Sequence, residues 1–355
     1  MTDDDAPIPS PASQAEAGSV GLPAPPFAGL TPDLILNAVD SLGLITSGQL
    51  LALNSYENRV FQVGLDEPNG SRAAPVIVKF YRPGRWTDEA ILEEHEFVAE
   101  LARAEVPAVA PRAIRERTLH GYEGFRFTVF ERRGGRAPEL SDRTVRERIG
   151  RFLGRLHAVG GRVAYQHRPT LDIDSFGVEP SIYLLEAGWL PPDLAGVYRG
   201  VVRDAIGGAR GCFERAGRIK PLRLHGDCHE GNLLWTESGT QPGPHFVDFD
   251  DSRTGPAVQD LWMLLSGDRE EMQHQLSDLL AGYEDFADFN PHELELVEAL
   301  RTLRLIHYSA WIARRWQDPA FPAAFPWFDS PRYWEARILE LREQIAAMQE
   351  PALAA

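Results

Sequence analysis

Cysteine is nearly absent. Two in 355 residues, Cys212 and Cys228, are too few for a disulfide framework and predict a reducing compartment, the cytoplasm. Lysine is as scarce: Lys79 and Lys220 are the two among 36 basic residues. A lysine therefore marks a position where arginine does not serve. No apolar run approaches the roughly 20 residues of a membrane-crossing helix, and Met1–Asp5 is acidic where a secretory leader would be basic. Positive charge is in deficit, 36 basic residues against 52 acids for a net −16. Such a surface repels phosphate backbones and anionic headgroups, so neither nucleic acid nor membrane is an expected partner. What remains is a soluble globular protein, expected to act as a monomer.

Residues 1–29 are mostly Pro, Ala, Ser and Asp and read as a disordered tail, because they cannot bury enough surface to offset ordering. Order is predicted to begin at Thr31-Pro32, a capping hydroxyl followed by proline at the first helical position. Short apolar runs at 50–53, 60–65 and 75–81 read as strands, 88–104 as a helix, and 113–119 and 125–130 as further strands. From 141 onward the spacing is mostly helical: 144–159, 192–216, 258–265, 270–285, 291–317 and 331–348, with strand-like pieces at 233–235 and 245–249. The pattern predicts an α+β protein of two lobes with a cleft between them: a small β-rich N-lobe (30–130) and a larger helical C-lobe (131–355).

The densest polar cluster is Leu224-His225-Gly226-Asp227-Cys228-His229-Glu230-Gly231-Asn232-Leu233. Bracketed by apolar residues, it needs an internal network or a ligand to satisfy it. Asp227 and Asn232 keep the D-x-x-x-x-N spacing of a kinase catalytic loop, in which the Asp accepts a hydroxyl proton and the Asn binds metal. Downstream, Val247-Asp248-Phe249-Asp250-Asp251 sets three carboxylates within four residues. They repel one another unless a cation sits among them, and hard oxygen donors suit Mg²⁺. Asp248 takes the place of the metal-binding Asp of a DFG motif. For Asp250 a second metal and a loop brace are both open, and Asp251 is expected to face solvent or cap. Lys79 lies mid-strand in VIVKF, where a compact ammonium fits a phosphate contact. Glu94 shares an inward helix face with Ile91, Val98 and Leu101 and is the predicted ion-pair partner of Lys79. In the loop 53–60, Ser55 and Asn58 are candidates to hold phosphate oxygens without any glycine.

Asp260 and His225 are expected to brace the catalytic loop and His157 to pack; for His229 a contact to metal or substrate is open, with packing the expectation. Arg301, Arg304, Arg314 and Arg315, with Trp311, are candidates to receive an acidic or peptide substrate; the expectation is a solvated, salt-bridged face.

The stretches LNSYENRVFQV (53–63), VKFYRPGRWTDEAILEEHEF (78–97), LHGDCHEGNLLW (224–235), VDFDDSRTGPAVQDLWMLL (247–265) and RRWQDPAFPAAFPW (314–327) resemble the kinase-like phosphotransferases related to aminoglycoside phosphotransferases and choline kinases. Within that superfamily they resemble most a bacterial serine/threonine protein kinase branch. The resemblance implies a two-lobed protein-kinase-like fold with ATP as co-substrate. It implies Asp227 as proton acceptor, Asn232 and Asp248 as Mg²⁺ ligands, and Ser55 and Lys79 at the phosphates. It also makes Asp248 a candidate phosphate acceptor, and implies a protein hydroxyl, the chain's own included, as substrate. A small-molecule hydroxyl kinase (aminoglycoside-, choline- or homoserine-like) is the alternative. A metallophosphoesterase reading of Gly226-Asp227-Cys228-His229 lacks the GDxxDR and GNHE blocks that chemistry requires, and a catalytically dead binding module sits poorly with a full set of catalytic residues.

Overall fold

The computed structural model describes residues 25–237 and 242–354. Most of the expected tail, residues 1–24, lies outside them, but its last part does not behave as a tail. Phe27 packs on the N-lobe core and lies under the guanidinium of Arg59, 4.3 Å from ring centre to charge. One aromatic among small residues supplies the burial that the composition conceals.

Helix α1 (Pro32–Asp40) starts as predicted, with Thr31 Oγ1 accepting from the Leu34 N–H. Strands β1 (Ile45–Ala52), β2 (Arg59–Asp66), β3 (Arg72–Phe80), β4 (His120–Tyr122) and β5 (Phe125–Glu131) form one antiparallel sheet in the order β1-β2-β3-β5-β4. Along β3 the two-residue period decides function. Val76, Val78 and Phe80 join α1 in the apolar core, so Ile77 and Lys79 fall on the opposite face, toward the cleft. Helix α2 (Asp88–Arg103) closes that face, with Glu94 among its buried residues. The expected strand at 113–119 is absent: Arg115 and Glu116 adopt positive φ (51° and 63°), which turns the chain there.

The C-lobe comprises α3 (Arg143–Gly160), α4 (Glu179–Glu186), α5 (Pro192–Ala216), α6 (Val258–Trp262), α7 (Arg269–Tyr283), α8 (Val297–Arg314), α9 (Ala320–Ala324) and α10 (Pro331–Ala347). Helix α8 is preceded by a 3₁₀ segment, Pro291–Leu296, which the sequence pattern had merged with it. Two ribbons, β6 (Leu222–Leu224) with β9 (Arg253–Gly255) and β7 (Leu233–Thr236) with β8 (Gly243–Phe246), anchor the polar loops. Phe97, Val98 and Leu101 of α2 pack into the main C-lobe core, so the helix that carries Glu94 belongs to both lobes. Among the described residues no helix is long and apolar enough to cross a membrane.

His95, one residue past Glu94, is buried between the Tyr81 hydroxyl (2.8 Å) and the Thr118 hydroxyl (2.8 Å). Burial, with Lys79 and Arg168 nearby, pushes its pKa down to about 3. The folded state therefore keeps it neutral, while the unfolded chain takes up a proton below about pH 6.5. Its contribution is complete above that pH and is lost on acidification, at up to about 1.4 kcal/mol per pH unit. Urea unfolding at pH 7 and pH 5 should show wild type losing roughly 2 kcal/mol more than His95→Gln over this interval; equal losses would remove His95 from the account.

Candidate active site

Lys79, 4% exposed, is surrounded by acids. Its Nζ lies 3.0 Å from Asp248 Oδ1, 3.1 Å from Asp250 Oδ1 and 4.0 Å from Glu94 Oε1. Burial works to lower its pKa, but Asp248, Asp250 and Glu94 together push it well above the usual lysine range. The predicted Lys79–Glu94 pair is thus present, as the longest of the three contacts. The other Glu94 oxygen is held by Arg168 at 3.0 Å, and burial raises the Glu94 pKa against the pull of both cations. Arg168 was not legible in the sequence. Its side chain is wholly buried and also donates to the carbonyls of Asp250 and Ser252, tying α2 to the acidic loop.

Helix α6 fixes the polar loop from below. Asp260 accepts from the backbone N–H groups of His225 and Gly226, both at 2.8 Å, and meets His157 Nε2 at 3.1 Å. His225 Nε2 in turn meets the Val247 carbonyl at 2.9 Å. The bracing roles read for Asp260 and His225 and the buried place of His157 match these contacts. Gly226 has φ +88°, and a Cβ there would meet the Asp251 carbonyl oxygen at 2.2 Å, so only glycine lets the two polar loops approach.

Asn232 Nδ2 donates to the Asp227 carbonyl at 2.9 Å and lies 3.3 Å from its Oδ2. His229 is no packing residue: it is 41% exposed, with Nε2 3.4 Å from Asp227 Oδ2. Its Nδ1 accepts from the Gly231 N–H, which leaves the Nε2–H pointed at the carboxylate. Burial works to raise the Asp227 pKa, but the His229 hydrogen bond and the Arg304 charge hold it well below the usual carboxylate range.

The cations expected among the downstream acids are largely the protein's own. Asp250 is buried between Lys79 and Arg85 (2.5 Å), so it braces the loop. Asp251 faces Arg85 (2.8 Å) and Arg253 (2.7 Å) and does not stand free in solvent. Burial opposes ionisation of both acids, yet these cations bring each pKa down to about 2. Asp248 differs. It adopts left-handed backbone (φ 59°) and its side chain is 52% exposed, so one carboxylate turns into the cleft.

The loop after β1 is tethered to the C-lobe. Ser55 Oγ donates to the Asn58 carbonyl and accepts from the Val60 N–H, each at 3.2 Å. The Asn58 side chain is buried and its Oδ1 accepts from the Arg82 N–H at 3.1 Å; Asn58 shapes the loop and does not line the cleft, whereas Ser55 does. Glu57 takes Arg82 (3.0 Å), Arg315 (2.5 Å) and the Trp311 indole N–H (2.6 Å). Asp318 takes Arg59 (3.0 Å) and Arg82 (2.6 Å). The arginine face of α8 is therefore only partly the solvated surface expected: Arg301 pairs with Glu298 along the helix, while Arg315 and Arg304 reach the site. Asp318→Asn should leave Arg59 without a carboxylate and Arg82 with Glu57 alone, and so loosen the loop. We expect a loss of the order of 3 kcal/mol in denaturant unfolding and a raised KM for nucleotide with a smaller change in kcat. An unchanged KM would detach this tether from nucleotide binding.

A cleft of about 360 Å³ opens between the lobes, lined by Ser55, Lys79, Glu94, Asn232 and Asp248 at one end. Val60, Ile77, Val98, Val109, Pro111, Phe130, Leu234 and Phe249 form its apolar part. The donor set fits a hard cation held jointly with phosphate. With Nδ2 turned to Asp227, Asn232 offers its amide oxygen, and Asp248 offers a half-exposed carboxylate. Among the described residues no cluster of three or more His, Cys, Asp or Glu forms a metal cage.

A buried lysine among carboxylates faces an Asp/Asn loop across an apolar cleft, and the residues that build this arrangement belong to one family. Residues 49–297 match the model of the phosphotransferase enzyme family, and the chain belongs to it: an ATP-dependent kinase with the two-lobed kinase fold. It is 42% identical over 327 residues to stress response kinase A of Escherichia coli (strain K12), covering 92% of this chain and 96% of that one. It is 39% identical over the same shares to the serine/threonine protein kinase RdoA of Salmonella typhimurium (strain LT2). Among solved structures, amicoumacin kinase hAmiN in complex with AMP-PNP, Ca²⁺ and Ami matches with TM-score 0.67 and 18% identity, over 89% of this chain and 93% of that one. That likeness supports the fold.

Proposed function

We propose that this chain is a cytoplasmic, monomeric, Mg²⁺- and ATP-dependent serine/threonine protein kinase, working in the stress response for which its relatives are named. The observation that carries the chemistry is the set Lys79, Asp248 and Asn232 lining an apolar cleft, with Asp227 held beside Asn232. The adenine lies between the apolar walls near Phe130, and Lys79 and the Ser55 loop hold the phosphates. Asn232 and Asp248 hold Mg²⁺, which neutralises phosphate charge when bound. Asp227 orients the acceptor hydroxyl. That oxygen bonds to the γ-phosphorus as the bond to the ADP oxygen breaks, and the hydroxyl proton passes to Asp227. Positioning and charge neutralisation supply most of the rate.

The substrate class rests on the relatives' names. The experiment is to incubate the full chain with γ-labelled ATP, Mg²⁺ and either protein fractions or a panel of hydroxylated metabolites. Label on serine or threonine of protein, the chain's own included, supports the proposal. Label confined to a metabolite overturns the protein-kinase assignment.

A further inference from the structure

Arg304 takes no part in holding nucleotide, yet it sits on the proposed base. Its Nη2 is 2.8 Å from Asp227 Oδ1, its side chain is 37% exposed, and among the described residues Asp227 is its one polar partner. The two oxygens of Asp227 face different neighbours. Oδ2 looks toward Asn232 and His229. Oδ1 looks toward α8, is sealed from solvent, and receives no aligned hydrogen bond. The Arg304 contact is thus a charge contact that covers the oxygen without satisfying it.

An acceptor hydroxyl must come within about 3 Å of the base. Oδ2 already meets the Asn232 amide (3.3 Å) and His229 Nε2 (3.4 Å), so Oδ1 is the oxygen left without a hydrogen bond, and Arg304 has to swing off it to admit a hydroxyl there. Moving a guanidinium off an anion is costly unless another anion receives it, and a second carboxylate does so bidentately. A residue one or two positions from the target places its carboxylate within reach, since successive Cα atoms lie about 3.8 Å apart.

Building on the kinase reading, we propose that Arg304 is a specificity-determining residue that selects hydroxyls flanked by acidic side chains. The neighbouring carboxylate takes Arg304 and uncovers Asp227 Oδ1 for the hydroxyl. The net charge of −16 works against acidic peptides at long range, so an acidic preference must originate in a local cation.

The test uses the full chain and three matched serine peptides, flanked by Asp/Glu, by Asn/Gln or by Lys. Wild type should favour the acidic peptide over the neutral one by about tenfold in kcat/KM. Arg304→Ala should bring that ratio near one, Arg304→Lys should keep part of it, and Arg304→Glu should turn the preference to the Lys-flanked peptide. The ratio is what is read, and a merely structural role would not move it. Equal use of all three peptides by wild type, or an equal drop on all three in Arg304→Ala, overturns the proposal and leaves the protein-kinase reading standing. Label in no peptide or protein, with label in a small alcohol, fails that reading first and this inference with it.

Discussion

Asp227→Asn is expected to cost about a thousandfold in kcat while leaving the affinity for ATP nearly unchanged. The first half follows from chemistry: a positioned base contributes of the order of 10²–10⁴ to a proton-transfer step, and an amide accepts no proton. The second half follows from geometry, because Asp227 is not among the residues that line the nucleotide cleft. The substitution keeps the shape, but it removes the charge that holds Arg304. Stopped-flow or fluorescence titration of ATP alongside phosphotransfer rates separates the two effects. Wild-type turnover in the variant would end the assignment of Asp227 as base, whereas lost nucleotide affinity would point to a collapsed loop.

Lys79→Met should damage both binding and stability. Without the ammonium, buried Asp250 and Glu94 and the half-exposed Asp248 face one another, with Arg85 and Arg168 left among the described residues to compensate. Breaking a buried ion pair by removing one partner typically costs about 3–5 kcal/mol. Affinity for Mg²⁺-ATP should fall as well, since the cation that meets the phosphates has gone. Lys79→Arg should not rescue, because a planar fork does not fit where a compact charge touches three acids. The pH dependence has a definite sign. The Lys79 pKa is raised in the fold, so its contribution is fully present below the unfolded value near 10.4 and is lost only as pH climbs through the folded one. The stability gap between Lys79→Met and wild type, measured by urea unfolding, should therefore hold steady from pH 7 to pH 10. A gap that closes below pH 9 would mean that the amine titrates early and is not held by the acids.

Two kinds of signal make the site legible in the sequence. Residues that violate their local pattern stood out, such as Lys79 inside an apolar strand and the carboxylates that follow strand β8. Residues at fixed short spacing, Asp227 and Asn232, stood out as well. The larger elements were equally readable, since α5 (Pro192–Ala216) keeps helical spacing over its whole length. Strands β6 and β9 were not, because three residues are too few to display a period. Arg168, Arg85 and Asp318 were hidden for a different reason, and so was the contact that Arg304 makes with Asp227. Each lies in a chain rich in arginine and acid, and nothing local distinguishes an arginine that crosses to another element from one that faces water. Their roles come from contacts over separations such as 74, 236 and 259 residues, which only the folded chain creates.

The scarcity of lysine makes the protein its own chemical reporter. An acylating group carried on an adenosine scaffold meets one side-chain amine in the cleft, Lys79, and one elsewhere, the exposed Lys220. Mass-spectrometric footprinting then becomes a ratio of two labelled peptides, with Lys220 as the internal reference and Lys79 as the readout of occupancy.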